Sequence, residues 1–158
     1  MQIYISGPLQ GSGNLCEAKQ FYEQLAEMVR DAGHDAYIPH HSTDPVRASS
    51  LSAQSVFNAD ISALNRADAV VAHVGLPSTG VGAELALATA SGRRVLGLKR
   101  PGERSSRFAE GLLLEAGGRI CEFESDAQLR SEIAGWLNMP PAWFGRPRSI
   151  ESHRKVVA

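Results

Sequence analysis

Apolar positions along this chain switch repeatedly between a strand-like and a helix-like spacing. Met1 to Ser6 (MQIYIS) is a short β-type run, and from Leu15 to Ala32 the residues Leu15, Phe21, Tyr22, Leu25, Met28 and Val29 recur at helical intervals. Gly33 stops that helix. Ala36-Tyr37-Ile38 predicts a second strand; the polar loop 39–50 follows, and Leu51 to Asn65 resumes helical periodicity through Val56, Phe57, Ile61 and Leu64. Ala69 to Val74 is a continuous apolar run, as expected of a strand covered on both faces. Helices over 80–91, 106–116 and 127–137, alternating with strands over 95–98 and 119–123, complete the pattern.

Five strand–helix alternations predict an α/β fold: a five-stranded parallel sheet, doubly wound in the Rossmann-like manner, with helices on both faces. The expected flavodoxin-like strand order is 2-1-3-4-5. A length of 158 residues suits one domain, taken as 1–138. The remainder, 139–158, contains prolines and the cluster Arg146, Arg148, Arg154 and Lys155, and reads as a basic surface extension.

Composition narrows the function. Apolar residues at 43% exclude a disordered chain. Sixteen basic against seventeen acidic residues leave a net charge of −1, which argues against broad capture of nucleic acid or an anionic membrane. Any phosphate must then be gripped locally. Cys16 and Cys121 have no CxxC spacing, so neither a zinc site nor a disulfide framework is signalled, and a reducing cytoplasm fits. The first residues read as a strand rather than a signal peptide, and no apolar run approaches the ~18 residues of a membrane span.

In an open α/β sheet the ligand crevice lies beyond the carboxyl ends of the strands where their order reverses, here between strands one and three. Two glycine-rich loops reach that point, 7–14 (GPLQGSGN) and 75–82 (GLPSTGVG). Gly7, Gly11 and Gly13 either free backbone N–H groups for an anion or serve a tight β–α turn. Their spacing matches neither a dinucleotide fingerprint nor a P-loop, so a monophosphate is the better size. Ser78 and Thr79 are candidate helix caps whose hydroxyls could instead face a phosphate. Glu84 is expected in the first turn of that helix, held ionised by its dipole, with Gly80 and Gly82 leaving the carboxylate accessible. Asp60, on a helical face with Phe57 and Leu64, would be an odd core carboxylate, whereas Asp68 suits a strand boundary. His40 and His41 are open to a ligand role or plain exposure, with no third metal ligand signalled. Tyr4 is either a core aromatic or a polar tip aimed at the crevice.

These residues resemble the nucleoside 2-deoxyribosyltransferase superfamily, in particular its 2′-deoxynucleoside 5′-monophosphate N-glycosidases. The resemblance runs through Tyr4-Ile5-Ser6-Gly7, Asp60, 67–72 (ADAVVA), 77–85 (PSTGVGAEL) and 94–101 (RVLGLKRP), and reaches about Phe123. It implies that Glu84 is the nucleophile at the anomeric carbon and that Tyr4 and Asp60 orient the sugar or assist the leaving base. Ser78 and the loop Gly7-Pro8-Leu9-Gln10-Gly11 would hold the 5′-phosphate, with His40, Gly80 and Gly82 also at the site. Pro8 and Gln10 stand where such hydrolases usually carry Ser and Arg. A homodimer is implied, with Ser106 reaching the phosphate across the interface; no cofactor or metal is.

Cleavage of an N-glycosidic bond passes through an oxocarbenium-like state that an ionised carboxylate stabilises and then traps, while a second acid helps the base depart. In retaining glycosidases the two carboxyls stand about 5–5.5 Å apart, and Glu84 and Asp60 are expected to approach that arrangement. A transferase that exchanges bases, or a nucleotide-binding sensor without turnover, are the alternatives.

Overall fold

The computed structural model describes residues 1–10 and 12–140, so Gly11 and most of the basic extension lie outside the described residues. The elements are β1 (Gln2–Ser6), α1 (Leu15–Asp31), β2 (Asp35–Tyr37), α2 (Ala53–Arg66), β3 (Ala69–His73), α3 (Thr79–Ala90), β4 (Arg94–Lys99), α4 (Arg107–Glu115), β5 (Arg119–Glu122) and α5 (Asp126–Leu137), with a single 3-10 turn over Pro39–His41. All strand pairs are parallel, in the order β2-β1-β3-β4-β5, as the alternation predicts.

Because successive side chains on a strand point to opposite faces, each strand feeds two cores. Ile3, Ile5, Val71, Leu96 and Leu98 pack under α1 and α5 together with Phe21, Leu25 and Trp136. Tyr4, Val70 and Val95 face the other way, against Leu64 of α2, Leu85 of α3 and Leu113 of α4. Every residue of β3 is buried, which explains its unbroken apolar run.

Side-chain caps set where the helices start. Asn14 accepts from the N–H groups of Cys16 and Glu17, and Ser52, Ser78, Ser106 and Ser125 each accept from the residue three positions on. The Ser52 cap delays α2 to Ala53, two residues later than the periodicity alone suggests. Gly33, at φ +84°, ends α1 in a conformation that side chains disfavour. Asp68 is the expected boundary residue: its carboxylate accepts from Gln2 N–H at 2.8 Å, and its own N–H donates to Gln2 O at 2.8 Å.

Phe57 departs from the expected pattern. It is 54% exposed, and α2 buries only Ala63 and Leu64 fully, so the face that carries Asp60 borders an open cavity rather than the core.

Candidate active site

The site begins on β1. Tyr4 and Ser6 lie two residues apart and so share a face, the one turned toward α2 and α3. The Tyr4 hydroxyl donates to Glu84 Oε1 at 2.7 Å and the Ser6 hydroxyl to Oε2 at 2.5 Å. Both carboxylate oxygens therefore have a donor. Tyr4 is fully buried and stacks on Tyr37 with ring centroids 5.5 Å apart. Burial and the facing Glu84 charge push its phenol far above the usual range, keeping it a proton donor.

Glu84 is the sixth residue of α3, not in its first turn, because Ser78 caps the helix and Thr79 opens it. The helix dipole, which acts within the first turn, does not hold this carboxylate ionised. Burial pushes its pKa upward; the Ser6 and Tyr4 hydrogen bonds pull it back, and the charge of Asp60 pushes it up further. Two fixed hydroxyl donors thus replace the dipole expected from the sequence.

Asp60 reaches the same cavity from α2. Its carboxyl is also raised by burial, opposed by the Thr43 hydroxyl, which sits 3.1 and 3.2 Å from its two oxygens. Next to Thr43, buried Asp44 is held well below the ordinary carboxylate range by Lys19 and by the N–H groups of Val46 and Arg47 at 2.8 and 2.9 Å. With Arg47 Nε at 3.1 Å as well, Asp44 anchors the segment after the 3-10 turn as one wall of the site.

The enclosed volume is about 590 Å³, within the range of small-molecule sites. Its walls are the loop after β1, the segment 39–51, α2, and the start of α3. The ionisable side chains lining it, among the described residues, are Asp44, Asp60 and Glu84, all acidic.

The other candidate residues separate into groups. Leu9, Ser78 and Gly80 line this cavity together with Gly7. Gly7 is also a packing requirement, since a Cβ there would fall 2.2 Å from the Tyr22 ring, whose hydroxyl donates to Pro8 O at 2.9 Å. Pro8 is not among the lining residues, and Gly11 is not described. Gly82 and Ser106 line a second, mostly apolar cavity of about 200 Å³, which shares the wall residues Pro77, Ser78 and Val81 with the first. Gly82 therefore does not clear the approach to Glu84, and Ser106 serves within this chain as the cap of α4.

His40 is buried outside the cavity lining, with Nε2 2.9 Å from Glu23 Oε1; His41 Nε2 approaches the same oxygen at 2.6 Å. These three could in principle converge on a metal ion. The Nδ1 of His40 is buried without a hydrogen-bond partner, however, so ligation through Nε2 would strand a proton there. A neutral His40 with its proton on Nε2 satisfies the contact to Glu23, and the trio forms a hydrogen-bonded clasp between α1 and the 3-10 turn. Burial lowers the His40 pKa despite Glu23, in keeping with a neutral ring.

Sequence reasoning assigned no role to Ser6 or Thr43. The two-residue spacing from Tyr4 could have found Ser6; nothing local marks Thr43 as the partner of Asp60.

A match to the family model described as nucleoside 2-deoxyribosyltransferase covers residues 3–126 and takes in β1, Asp60 and Glu84. The chain belongs to the nucleoside 2-deoxyribosyltransferase family. It is similar to two proteins provisionally named 2′-deoxynucleoside 5′-phosphate N-hydrolase 1. The one from Methanosarcina mazei is 31% identical over 102 residues, 63% of this chain and 61% of that protein. The one from Methanococcoides burtonii is 26% identical over 113 residues, 70% of this chain and 90% of that protein. Among solved structures, a 2-deoxyribosyltransferase from Bacillus psychrosaccharolyticus superposes with a TM-score of 0.63 at 19% identity, over 94% of this chain and 99% of its own. A CMP N-glycosidase from Clostridium botulinum gives 0.62 at 15% identity, over 86% and 99%. At these identities the structural likenesses establish the nucleoside 2-deoxyribosyltransferase fold.

Proposed function

We propose that this protein hydrolyses the N-glycosidic bond of a (deoxy)nucleoside 5′-monophosphate through a covalent glycosyl–Glu84 intermediate. The observation that carries this reading is the buried Glu84 carboxylate, held by Tyr4 and Ser6 in a nucleotide-sized cavity that a second raised-pKa acid, Asp60, also lines.

In this mechanism a Glu84 oxygen bonds to C1′ as the C1′–N bond breaks, and the departing base nitrogen takes its electron pair and a proton from Asp60. The Tyr4 and Ser6 hydroxyls keep Glu84 from rotating away and hold it ionised against the cost of burial. Water then attacks C1′, giving its proton to the Asp60 carboxylate and releasing Glu84. The phosphate sits at the start of α3, where Ser78, Thr79 and Gly80 line the cavity and the first N–H groups of the helix lie. Ser106 of a second copy completes the phosphate grip in a homodimer, and the exposed Phe108 beside it supplies apolar contact area. The reaction runs in the cytoplasm, where the two free cysteines, one exposed and one buried, stay reduced. The names of these two relatives support this substrate class.

A second reading, base exchange on an unphosphorylated nucleoside, draws support from the acidic lining, which offers a dianion no lysine or arginine among the described residues. One assay separates the two. Ribo- and deoxyribonucleoside 5′-monophosphates and the matching nucleosides are incubated with and without a second base. Free base and sugar phosphate are expected; exchanged nucleoside favours the transferase, and binding without bond cleavage overturns both.

A further inference from the structure

The Thr43 hydroxyl carries one proton and faces three acceptors: Pro39 O at 3.0 Å and the Asp60 oxygens at 3.1 and 3.2 Å. Pro39 O does not depend on it, since the N–H groups of Ser42 and Thr43 already donate there at 2.9 and 2.8 Å. The hydroxyl is thus free to turn. When Asp60 is ionised, Thr43 donates to it; when Asp60 is protonated, Asp60 donates to Thr43 Oγ1 and the Thr43 proton swings to Pro39 O.

We infer that Thr43 is a positioning residue for the acid–base step, a hydroxyl rotor that gives Asp60 a hydrogen-bond partner in both of its protonation states. This rests on Asp60 being the acid of the proposed reaction. As Asp60 passes its proton to the leaving base, the rotor turns from the Pro39 carbonyl onto the new carboxylate, and it turns back when water returns a proton. Without it, the ionised form stands half-buried with no hydroxyl donor. The charged and titratable groups facing Asp60 are Glu84 from α3, Tyr4 from β1 and Tyr37 from β2; Glu84 is an acceptor when ionised, the Tyr4 phenol already donates to it, and the Tyr37 phenol is engaged with Ser42.

Thr43→Val removes the rotor and keeps the shape, and Thr43→Ser retains it. The backbone bond from Thr43 N–H to Pro39 O holds the turn in both variants. A hydrogen bond to a charged group is worth enough that Thr43→Val should lower kcat by roughly 10- to 100-fold with KM little changed. It should also move the alkaline limb of the pH–rate profile up by about one to two units. Thr43→Ser should restore both. The titration of the Asp60 carboxyl carbon, followed by NMR, reads the same shift in the folded protein without turnover. An unchanged titration and an unchanged profile in Thr43→Val, with Asp60→Asn inactive, overturn the rotor alone. Full activity of Asp60→Asn overturns the acid assignment and the rotor with it.

Discussion

The Tyr4 phenol and the Glu84 carboxylate meet at 2.7 Å although 80 residues separate them. This bond ties the first strand of the sheet to the third helix, and with Ser6 it fixes both oxygens of the carboxylate. A carboxylate so held is aimed, and its two donors favour the ionised form while burial works against its charge.

Tyr4→Phe and Ser6→Ala each remove one donor from the ionised form of Glu84, so each should raise its pKa further. The acid limb of the pH–rate profile is expected to move to higher pH, with kcat at neutral pH falling about 10-fold or more for each. A pH–rate series on both variants checks this, and unchanged limbs would remove the two hydroxyls from their role.

Glu84→Gln should abolish hydrolysis, lowering kcat by at least about 10³-fold, while nucleotide binding survives. It should also stabilise the fold at neutral pH. A carboxyl whose folded pKa lies above its unfolded value loses its proton first in the unfolded chain, so stability falls as pH climbs from the ordinary carboxylate value through the raised one. The variant is expected to melt higher than the parent at pH 7 and level with it near pH 3. Melting curves at the two pH values test the sign.

Gly7→Ala places a methyl group where the Tyr22 ring stands. Overpacking of this kind costs about 1–3 kcal/mol. Adding Tyr22→Leu should recover part of the loss, a coupling readable in a double-mutant denaturation cycle. Additive losses would point to a role for Gly7 at the cavity rather than against Tyr22.

Ser106→Ala has two separable effects. Loss of the α4 cap should cost about 1 kcal/mol of stability. Loss of the proposed contact to a second copy should weaken binding of phosphorylated substrates more than of nucleosides. Equal losses for both ligands, measured by calorimetry, would leave Ser106 a cap only.

The strand order, the Ser78 cap and the end of α1 were legible because they depend on local signals: the apolar periods, a hydroxyl before a helical run, the glycine after α1. Tyr4, Asp60 and Glu84 were legible through their motifs, and the structure brings all three to one cavity or its wall. What failed was geometry that only packing decides. α3 opens at Thr79, one residue before the expected start, which leaves Glu84 beyond the first turn, and α2 leaves Phe57 54% exposed. Gly82 lines a neighbouring pocket, and His40 pairs with Glu23 outside the cavity lining. Thr43 partners an acid 17 residues away across a turn whose path no periodicity encodes.

One strand, β1, supplies core contacts on one side and the grip on Glu84 on the other. A slip of a single residue in its pairing would turn Ile3 and Ile5 outward and Tyr4 and Ser6 away from the acid in the same move. Misfolded copies would be catalytically silent rather than promiscuous, so that turnover per molecule also reports how completely a preparation has folded.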